Sequence, residues 1–211
     1  MEQPFNRKEH WENIYTTKAL ETVSWYQPDP NTSLDFIREA GLSKTAAIID
    51  IGGGDSFLTD HLLEAGYENI TVLDISKAAI DRAKARLKEK ATKVKWIVAD
   101  VTDFQPEQQY DFWHDRAAFH FLTEPEDIKR YKQALTSAIT PQGTLVIGTF
   151  SESGPKKCSG IEIKQYSAIA LANTFAPTFE KQHCIPVEHI TPSGAVQHFV
   201  FCSFHKIQDP G

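Results

Sequence analysis

The sequence predicts an α/β domain built on a doubly wound, mostly parallel sheet of seven strands. Short apolar runs alternate with segments of helical periodicity between residues 46 and 150, and this alternation is typical of successive β-α-β units. Two further strand-like runs follow one another near the C-terminus, joined by a connection that contains Pro192 and Gly194. Such a connection indicates an antiparallel hairpin at one edge of the sheet.

The individual elements follow from local patterns. The first strand, residues 46–51, is a continuous apolar run bounded by glycine, as in strands buried on both faces. Ser56 can cap the next helix and Gly66 can end it. Further strands are predicted at 70–73, 94–99, 110–114, 144–150, 179–190 and 197–205, with helices between the second and third strands and at 126–139 and 166–175. Residues 151–160 are predicted to be a mobile loop.

Length and composition limit the architecture and the partners. A chain of 211 residues, 41% of them hydrophobic, can bury one sizeable core. We expect a single domain over residues 1–211, with residues 1–45 as an N-terminal cap or lid and residues 46–211 as the α/β core. A net charge of −6 disfavours nucleic acid as a partner. No apolar run approaches the roughly 20 residues of a membrane span, and the first residues lack the apolar stretch of a signal peptide, so we predict a cytoplasmic protein without a membrane partner.

The cysteines and histidines give no sign of a metal site. Cys158, Cys184 and Cys202 are widely spaced and odd in number, which favours a reducing compartment over a disulfide framework. Neither they nor the eight histidines show metal-ligand spacing. The sequence leaves the oligomeric state open.

A glycine-rich turn carries the strongest functional signal. An apolar run ends in Asp50, is followed by Gly52, Gly53 and Gly54, and continues into a helix and a second apolar run that ends in Asp74. Glycines let the backbone turn sharply and come close to a ligand. Asp74 lies 20 positions after Gly54, close to the spacing of about 20 at which an acidic residue meets ribose hydroxyls in nucleotide-binding units. The pattern predicts a nucleotide-like cofactor.

The residues around the glycines narrow the choice of cofactor. A dinucleotide fingerprint would have a third glycine where Phe57 stands. The pattern D-x-G-x-G-x-S, formed by Asp50, Gly52, Gly54 and Ser56, instead resembles motif I of class I S-adenosylmethionine (SAM) dependent methyltransferases. An acid before the glycines suits the amino group and sulfonium of SAM and would repel a pyrophosphate.

This resemblance implies a cofactor site at the carboxyl ends of three strands. The third strand ends in Asp100, where the family has an acid that contacts the adenine amino group. Ligands of open α/β sheets lie at this edge of the sheet, so the three acids should face one cleft. The expected cofactor-binding residues are Asp50, Gly52, Gly53, Gly54, Ser56, Asp74, Ile75, Asp100 and Val101. Each aspartate alone is also compatible with a cap or turn.

The end of the fourth strand supplies the catalytic candidates Asp115, Arg116 and His120. This place lacks the [D/N]-P-P-[F/Y/W] motif of many nucleic-acid and glutamine methyltransferases. The Asp115-Arg116 pair resembles the thiopurine methyltransferase and tellurite-resistance branch, which handles small, soft acceptors. Arg116 can bind an anion or pair with Asp115 or another acid. His114 and His120 can each be a general base or a hydrogen-bonded core residue.

Aromatic residues before the first strand predict a lid. Trp11 and Tyr15, followed by Trp25 and Tyr26, resemble the cap of small class I methyltransferases, including some protein-lysine methyltransferases. Aromatic faces attract a sulfonium through cation-π interactions, and we assign these four residues, with Phe119, to the lid and substrate wall. Ordinary packing of an N-terminal helix on the sheet is the alternative.

The resemblance implies an enzyme that transfers a methyl group from SAM to a small-molecule acceptor and releases S-adenosylhomocysteine (SAH). The fold it implies is the Rossmann-like methyltransferase fold. A protein-lysine methyltransferase is the nearest alternative. A SAM-binding module without catalysis and, less well supported, an NAD-dependent oxidoreductase are the others.

Overall fold

The computed structural model describes residues 5–207. The predicted cap and core also include residues 1–4 and 208–211, which lie outside the described residues. The helices are α1 (Arg7–Thr17), α2 (Asn31–Glu39), α3 (Leu58–Glu64), α4 (Lys77–Leu87), α5 (Pro125–Ala138) and α6 (Ala168–Phe175). The strands are β1 (Ala47–Ile51), β2 (Asn69–Asp74), β3 (Val94–Val98), β4 (Tyr110–Arg116), β5 (Ile139–Phe150), β6 (Lys157–Cys158), β7 (Ile161–Glu162), β8 (Phe179–Ile190) and β9 (Val196–Lys206).

The main sheet has seven strands in the order β3-β2-β1-β4-β5-β9-β8. Strands β1 to β5 run parallel, and β9 and β8 form the antiparallel edge hairpin. The predicted fold class is therefore confirmed. Since the order reverses beside β1, the carboxyl ends of β1, β2 and β4 border one crevice, the usual ligand position in such sheets.

Helices cover both faces of the sheet. Phe36 of α2 and Leu62 of α3 pack on one face, against strand residues such as Val72. Tyr131 of α5 and Phe175 of α6 pack on the other face. Every residue of β1 is buried, as a central strand between two layers of helices requires. None of the helices within residues 5–207 is both long enough and apolar enough to cross a membrane.

Three local predictions need correction. Strand β4 runs on to Arg116, because Arg116 pairs with Gly148 of β5. Part of the segment predicted as a mobile loop forms the two-stranded hairpin of β6 and β7. The prediction that the cysteines form no disulfide framework was wrong as well. Cys184 and Cys202 lie directly opposite each other on β8 and β9 and form a disulfide. Their spacing along the chain does not reveal the strand register that brings them together.

A buried hydrogen-bond chain connects β4 to α5. The indole nitrogen of Trp113 donates to the Tyr131 hydroxyl at 2.9 Å, and that hydroxyl donates to Oδ2 of Asp115 at 2.9 Å. All three side chains are fully buried. Each group therefore depends on the Tyr131 hydroxyl, since an unpaired buried polar group is costly.

We predict that Tyr131→Phe lowers the free energy of unfolding by about 1–3 kcal/mol, because it leaves the Trp113 N–H and an Asp115 oxygen without their partner. Tyr166→Phe is the matched control, since Tyr166 is equally buried but its hydroxyl has no partner. That change should be neutral or stabilising. Urea denaturation of both variants measures the difference, and equal destabilisation would contradict a role for the hydrogen-bond chain.

Candidate functional site

One deep cleft lies at the carboxyl ends of β1 to β4, beneath α1 and the segment that leads to α2. Its cavity volume is about 140 Å³. Most of the predicted site residues line it: Trp11, Tyr15, Trp25, Tyr26, Asp50, Gly52, Gly53, Ser56, Asp74, Ile75, Asp100, Val101 and Arg116. Four predicted residues do not: Gly54, Asp115, Phe119 and His120. The structure thus brings together acids from three strand ends and aromatic residues from the cap.

The glycine loop fits closely around two carboxylates. Gly52 has a φ of +64°, and its N–H donates to the carbonyl of Leu73 at 2.7 Å. A Cβ at Gly53 would overlap the carboxylate of Asp50, and a Cβ at Gly54 would overlap that of Asp74. Gly54 therefore shapes the site from behind the wall without lining it.

Asp50 at the end of β1 is held by a buried chain of side chains. Its Oδ1 lies 2.7 Å from Nδ1 of His114, and Nε2 of His114 lies 2.8 Å from the hydroxyl of Ser33. A neutral imidazole that donates to Asp50 accepts from Ser33 on its other side. The second oxygen of Asp50 is buried without a partner. His114 thus fixes one carboxylate oxygen and leaves the other available to a ligand; Ser33 was not recognised from the sequence.

Asp74 at the end of β2 is a buried acid with an altered pKa. One of its oxygens accepts from the N–H of Ser76 at 2.8 Å, and the side chain is 4% exposed. Burial, followed by the negative charges of Asp50, Glu12 and Asp55, raises the pKa of Asp74 to about 7. The cleft thus has a concentration of negative charge, and no cationic side chain within residues 5–207 forms an ion pair with Asp74.

Asp100, beyond the end of β3, already has protein partners. It accepts from the backbone N–H and the hydroxyl of Thr102, at 2.9 and 2.8 Å. Arg7 of α1 forms an ion pair with it at 2.9 Å and also binds Asp127. Arg7 therefore connects the cap to the third strand end, a contact across 93 positions that no sequence pattern indicated.

Charged contacts fasten α1 across the cleft. Glu12 accepts from the Ser76 hydroxyl at 2.8 Å and from the N–H of Ala78 at 3.2 Å, at the N-terminus of α4. Arg82 donates to the carbonyls of Tyr15 and Lys18, both at 2.9 Å, at the C-terminus of α1. The N-terminus of α4 thus faces an acidic side chain, and the C-terminus of α1 faces a basic one. Both arrangements are favoured by the helix dipoles.

The aromatic residues of the cap pack on one another above the strand ends. Trp11 makes edge contacts with Trp25 and Phe121, at ring-centroid distances of 5.7 and 4.8 Å. Tyr15 packs on Trp25 at 6.1 Å, and Tyr26 packs on Phe57 at the same distance. These residues both line the cleft and pack against the core. A lid over the cleft and ordinary packing of an N-terminal helix are therefore compatible interpretations.

Arg116, the last residue of β4, brings a positive charge to the cleft. Its Nη1 donates to the carbonyl of Trp25 at 3.2 Å, its guanidinium lies 5.3 Å from the ring centre of Phe199, and its Nη2 is buried without a partner. Burial lowers the pKa of Arg116 to about 10, so it stays charged at neutral pH. Within residues 5–207 no carboxylate forms an ion pair with it, and Asp115 is not its partner.

The structure corrects the predicted roles of Asp115, Phe119 and His120, which it buries completely behind the cleft wall. Asp115 accepts from the N–H groups of residues 118 and 119 and from Tyr131. Phe119 packs in the core on Tyr131, at 4.7 Å. His120 accepts from the N–H of residue 150, and burial with the charge of Arg116 lowers its pKa to about 3. Such an imidazole is uncharged at neutral pH, and it does not line the cleft. Among residues 5–207, no group of three or more His, Cys, Asp or Glu side chains is placed to hold a metal ion.

The sequence and fold of this chain are similar to those of known methyltransferases. Residues 48–143 match a family model described as a methyltransferase domain. The chain is 26% identical over 137 residues to nodulation protein S of Sinorhizobium fredii, covering 64% of this chain and 62% of that protein. It is 29% identical over 157 residues to EEF1A lysine methyltransferase 2 of Danio rerio, covering 66% of each. The chain spans slightly less than two thirds of the length of these curated relatives.

A solved structure has the same fold over nearly the whole chain. It is a 1,6-didemethyltoxoflavin-N1-methyltransferase of Burkholderia thailandensis with bound 1,6-didemethyltoxoflavin and S-adenosylhomocysteine. The TM-score is 0.73 at 18% sequence identity, with 99% of this chain and 94% of that chain covered. The domain match, the methyltransferase relatives and the shared sheet all support the predicted resemblance to class I SAM-dependent methyltransferases.

Proposed function

We propose that this protein is an enzyme that transfers the methyl group of SAM to a small-molecule acceptor and releases SAH. The observation that carries the proposal is the unpartnered, buried Oδ2 of Asp50 in a glycine-lined cleft that also contains Asp74. A buried carboxylate oxygen without a partner requires a donor from a ligand. A cationic amino group supplies such a donor, and a pyrophosphate does not.

The residues of the cleft fit the parts of SAM. Asp50 would accept from the amino group of the methionine part, which the adjacent glycines leave room for. Asp74 would accept from the ribose hydroxyls, and Asp100, with Ile75 and Val101, would border the adenine. Bound SAM supplies an electrophilic methyl group on a sulfonium. Residues Gly52, Gly53 and Ser56 complete the proposed cofactor wall.

Methyl transfer is an in-line displacement, so the protein has to align the two reactants and exclude water. Trp11, Tyr15, Trp25 and Tyr26 would do both, because their rings cover the strand ends and their faces favour a nearby cation. His114 is engaged on both ring nitrogens, and His120 lies outside the cleft wall. We therefore expect positioning, not a histidine base, to provide most of the catalysis.

The charge of the cleft bears on the choice between a small molecule and a protein lysine. The relative from Danio rerio is named as a lysine methyltransferase. In this chain, however, Arg116 presents an unpaired positive charge on the acceptor side, and like charges repel strongly where water is excluded. That repulsion favours a small-molecule acceptor over the ammonium of a lysine. The similarity of Asp115-Arg116 to the thiopurine and tellurite-resistance branch stays a prediction.

The first test is a comparison of two cofactors. At a concentration 100 times its Kd, SAH should stabilise the protein by about 2.7 kcal/mol, which corresponds to a rise in Tm of about 5–10 °C for a chain of this size. NADH at the same concentration should have no effect. Stabilisation by NADH alone would contradict the proposed cofactor. Transfer of a labelled methyl group from SAM to low-molecular-weight cell-extract fractions, with no labelled protein bands, separates the enzyme from a binding module and from a protein methyltransferase.

Changing Asp74 to Asn should separate stability from cofactor binding. The pKa of Asp74 is raised in the folded state, so its contribution to stability is present at acidic pH and is lost as the pH rises from about 4 through about 7. At pH 8 the cofactor-free variant should therefore be more stable than the wild type by about 1–3 kcal/mol, and the gain should shrink toward pH 4. Its affinity for SAH at pH 8 should fall at least about 10-fold.

Urea denaturation across pH and calorimetry with SAH measure these two effects. Asp81→Asn is the control, since Asp81 is an exposed acid on α4 whose pairing with Lys77 is a surface contact. It should change neither quantity measurably. An Asp74→Asn variant that is less stable at pH 8, or that binds SAH as tightly as the wild type, would contradict the role given to Asp74.

Glu12→Ala should loosen the cap, because it removes the acceptor for Ser76 and Ala78 at the start of α4. We expect SAH to dissociate about 3–10 times faster, with more quenching of tryptophan fluorescence by acrylamide. Glu9→Ala on the same helix is the control, since Glu9 is exposed. Equal dissociation rates for the two variants, measured by stopped flow, would show that Glu12 does not hold the cap closed.

A further inference from the structure

We infer that the acceptor is a flat aromatic molecule with a carboxylate or a comparable compact anion, and that Arg116 binds this anion. The inference deepens the proposed function and rests on it, because it names the class of molecule that receives the methyl group. It is carried by two buried polar groups without partners in the acceptor half of the cleft, and by the aromatic wall around them.

The first group is the guanidinium of Arg116. One nitrogen donates to the carbonyl of Trp25, and Nη2 is buried with no hydrogen-bond partner. No carboxylate within residues 5–207 forms an ion pair with it. The charge of Asp50 favours the protonated form of Arg116 through space, but a buried cation without a directly bonded anion is still unfavourable. A guanidinium presents planar, paired donors that match a carboxylate. Its environment is therefore incomplete until an anion enters the cleft.

The second group is the side-chain amide of Gln197 on β9. Gln197 lines the same cleft, is 9% exposed, and has a buried amide oxygen without a partner. An amide group in this position can contact a hydroxyl or an amino substituent. Arg116 and Gln197 together present a hydrogen-bond donor and a hydrogen-bond acceptor to one ligand. A purely apolar substrate would leave both groups without partners.

The surrounding wall is apolar and aromatic. Phe150 and Phe199 pack edge to face at 4.7 Å, and Phe199 also lies beneath the Arg116 guanidinium. Phe121 and Trp25 contribute further rings to the lining. Aromatic side chains favour offset stacking with other rings. A planar aromatic body with one anionic substituent thus satisfies the wall and the charge together.

The carboxylate of SAM is the competing source of an anion. Arg116 contacts Trp25 of the cap and Phe199 of β9, although the pairing of Ile51 with Asp115 brings the start of the glycine loop close to it as well. Its contacts with the cap and with β9 are the ground for assigning the guanidinium to the acceptor. 5′-Methylthioadenosine tests the alternative directly, because it lacks the amino-acid part of SAH.

The experiment is calorimetry on the 211-residue chain with simple probe acids. Benzoate, salicylate and indole-3-carboxylate are titrated onto the protein with and without SAH, each beside its neutral amide. The variants are Arg116→Gln, Arg116→Lys and, as a control, Arg38→Gln, since Arg38 is exposed on α2. SAH and 5′-methylthioadenosine are titrated onto every variant, so that cofactor binding is measured separately.

At least one acid should bind the wild type and Arg38→Gln at least about 10-fold more tightly than its amide. Arg116→Gln should abolish that preference, Arg116→Lys should keep part of it, and SAH affinity should change less than about 2-fold. Equal binding of acids and amides, no binding of any acid, or an unchanged preference in Arg116→Gln would overturn the inference. A loss of SAH affinity in Arg116→Gln without a loss for 5′-methylthioadenosine would also overturn it, by assigning Arg116 to the cofactor. Failure of the wild type to bind SAH would instead contradict the proposed function, while the acid titrations without SAH still report on Arg116.

Discussion

Burial of two carboxylates at neighbouring strand ends is the constraint around which this domain is arranged. Asp50 and Asp74 are 2% and 4% exposed, and parallel strands β1 and β2 bring them to the same edge of the sheet. Buried charge is unfavourable unless it is compensated. The protein compensates only in part, through His114 on one oxygen of Asp50 and the N–H of Ser76 on Asp74. The part of the burial that is not compensated raises the pKa of Asp74. A ligand that donates hydrogen bonds can supply the missing compensation.

The cap depends on the same charges. Glu12 adds a further acid beside Asp74, and the N-terminus of α4 together with the Ser76 hydroxyl keeps it there. Arg82 and Arg7 then neutralise acids at the borders of the cleft, Arg82 at Asp55 and Arg7 at Asp100. The cap is thus attached by charged contacts around an acidic centre, in addition to the packing of Trp11 on Phe121.

The sequence predicted those parts of the site that depend on neighbours along the chain. Strand-end acids, the glycine turn and the order of strands follow from local patterns, and the structure places Asp50, Asp74 and Asp100 at one cleft. Contacts between distant residues were not predictable in this way. Ser33 lies 81 positions from His114, and no local pattern marks the pair. His120 was assigned to the site because it is close in sequence to Arg116, but a short 3₁₀ turn at Phe119–Phe121 directs it inward.

The two signs of charge within one cleft have a consequence for selectivity. An unpaired carboxylate oxygen of Asp50 favours a cationic amino group, and an unpaired nitrogen of Arg116 favours an anion. With water displaced, each charge acts at a low effective dielectric, so a ligand in the wrong half meets repulsion as well as a lost contact. Under the proposed function, the acid at the end of β1 and the arginine at the end of β4 would therefore help to align donor and acceptor.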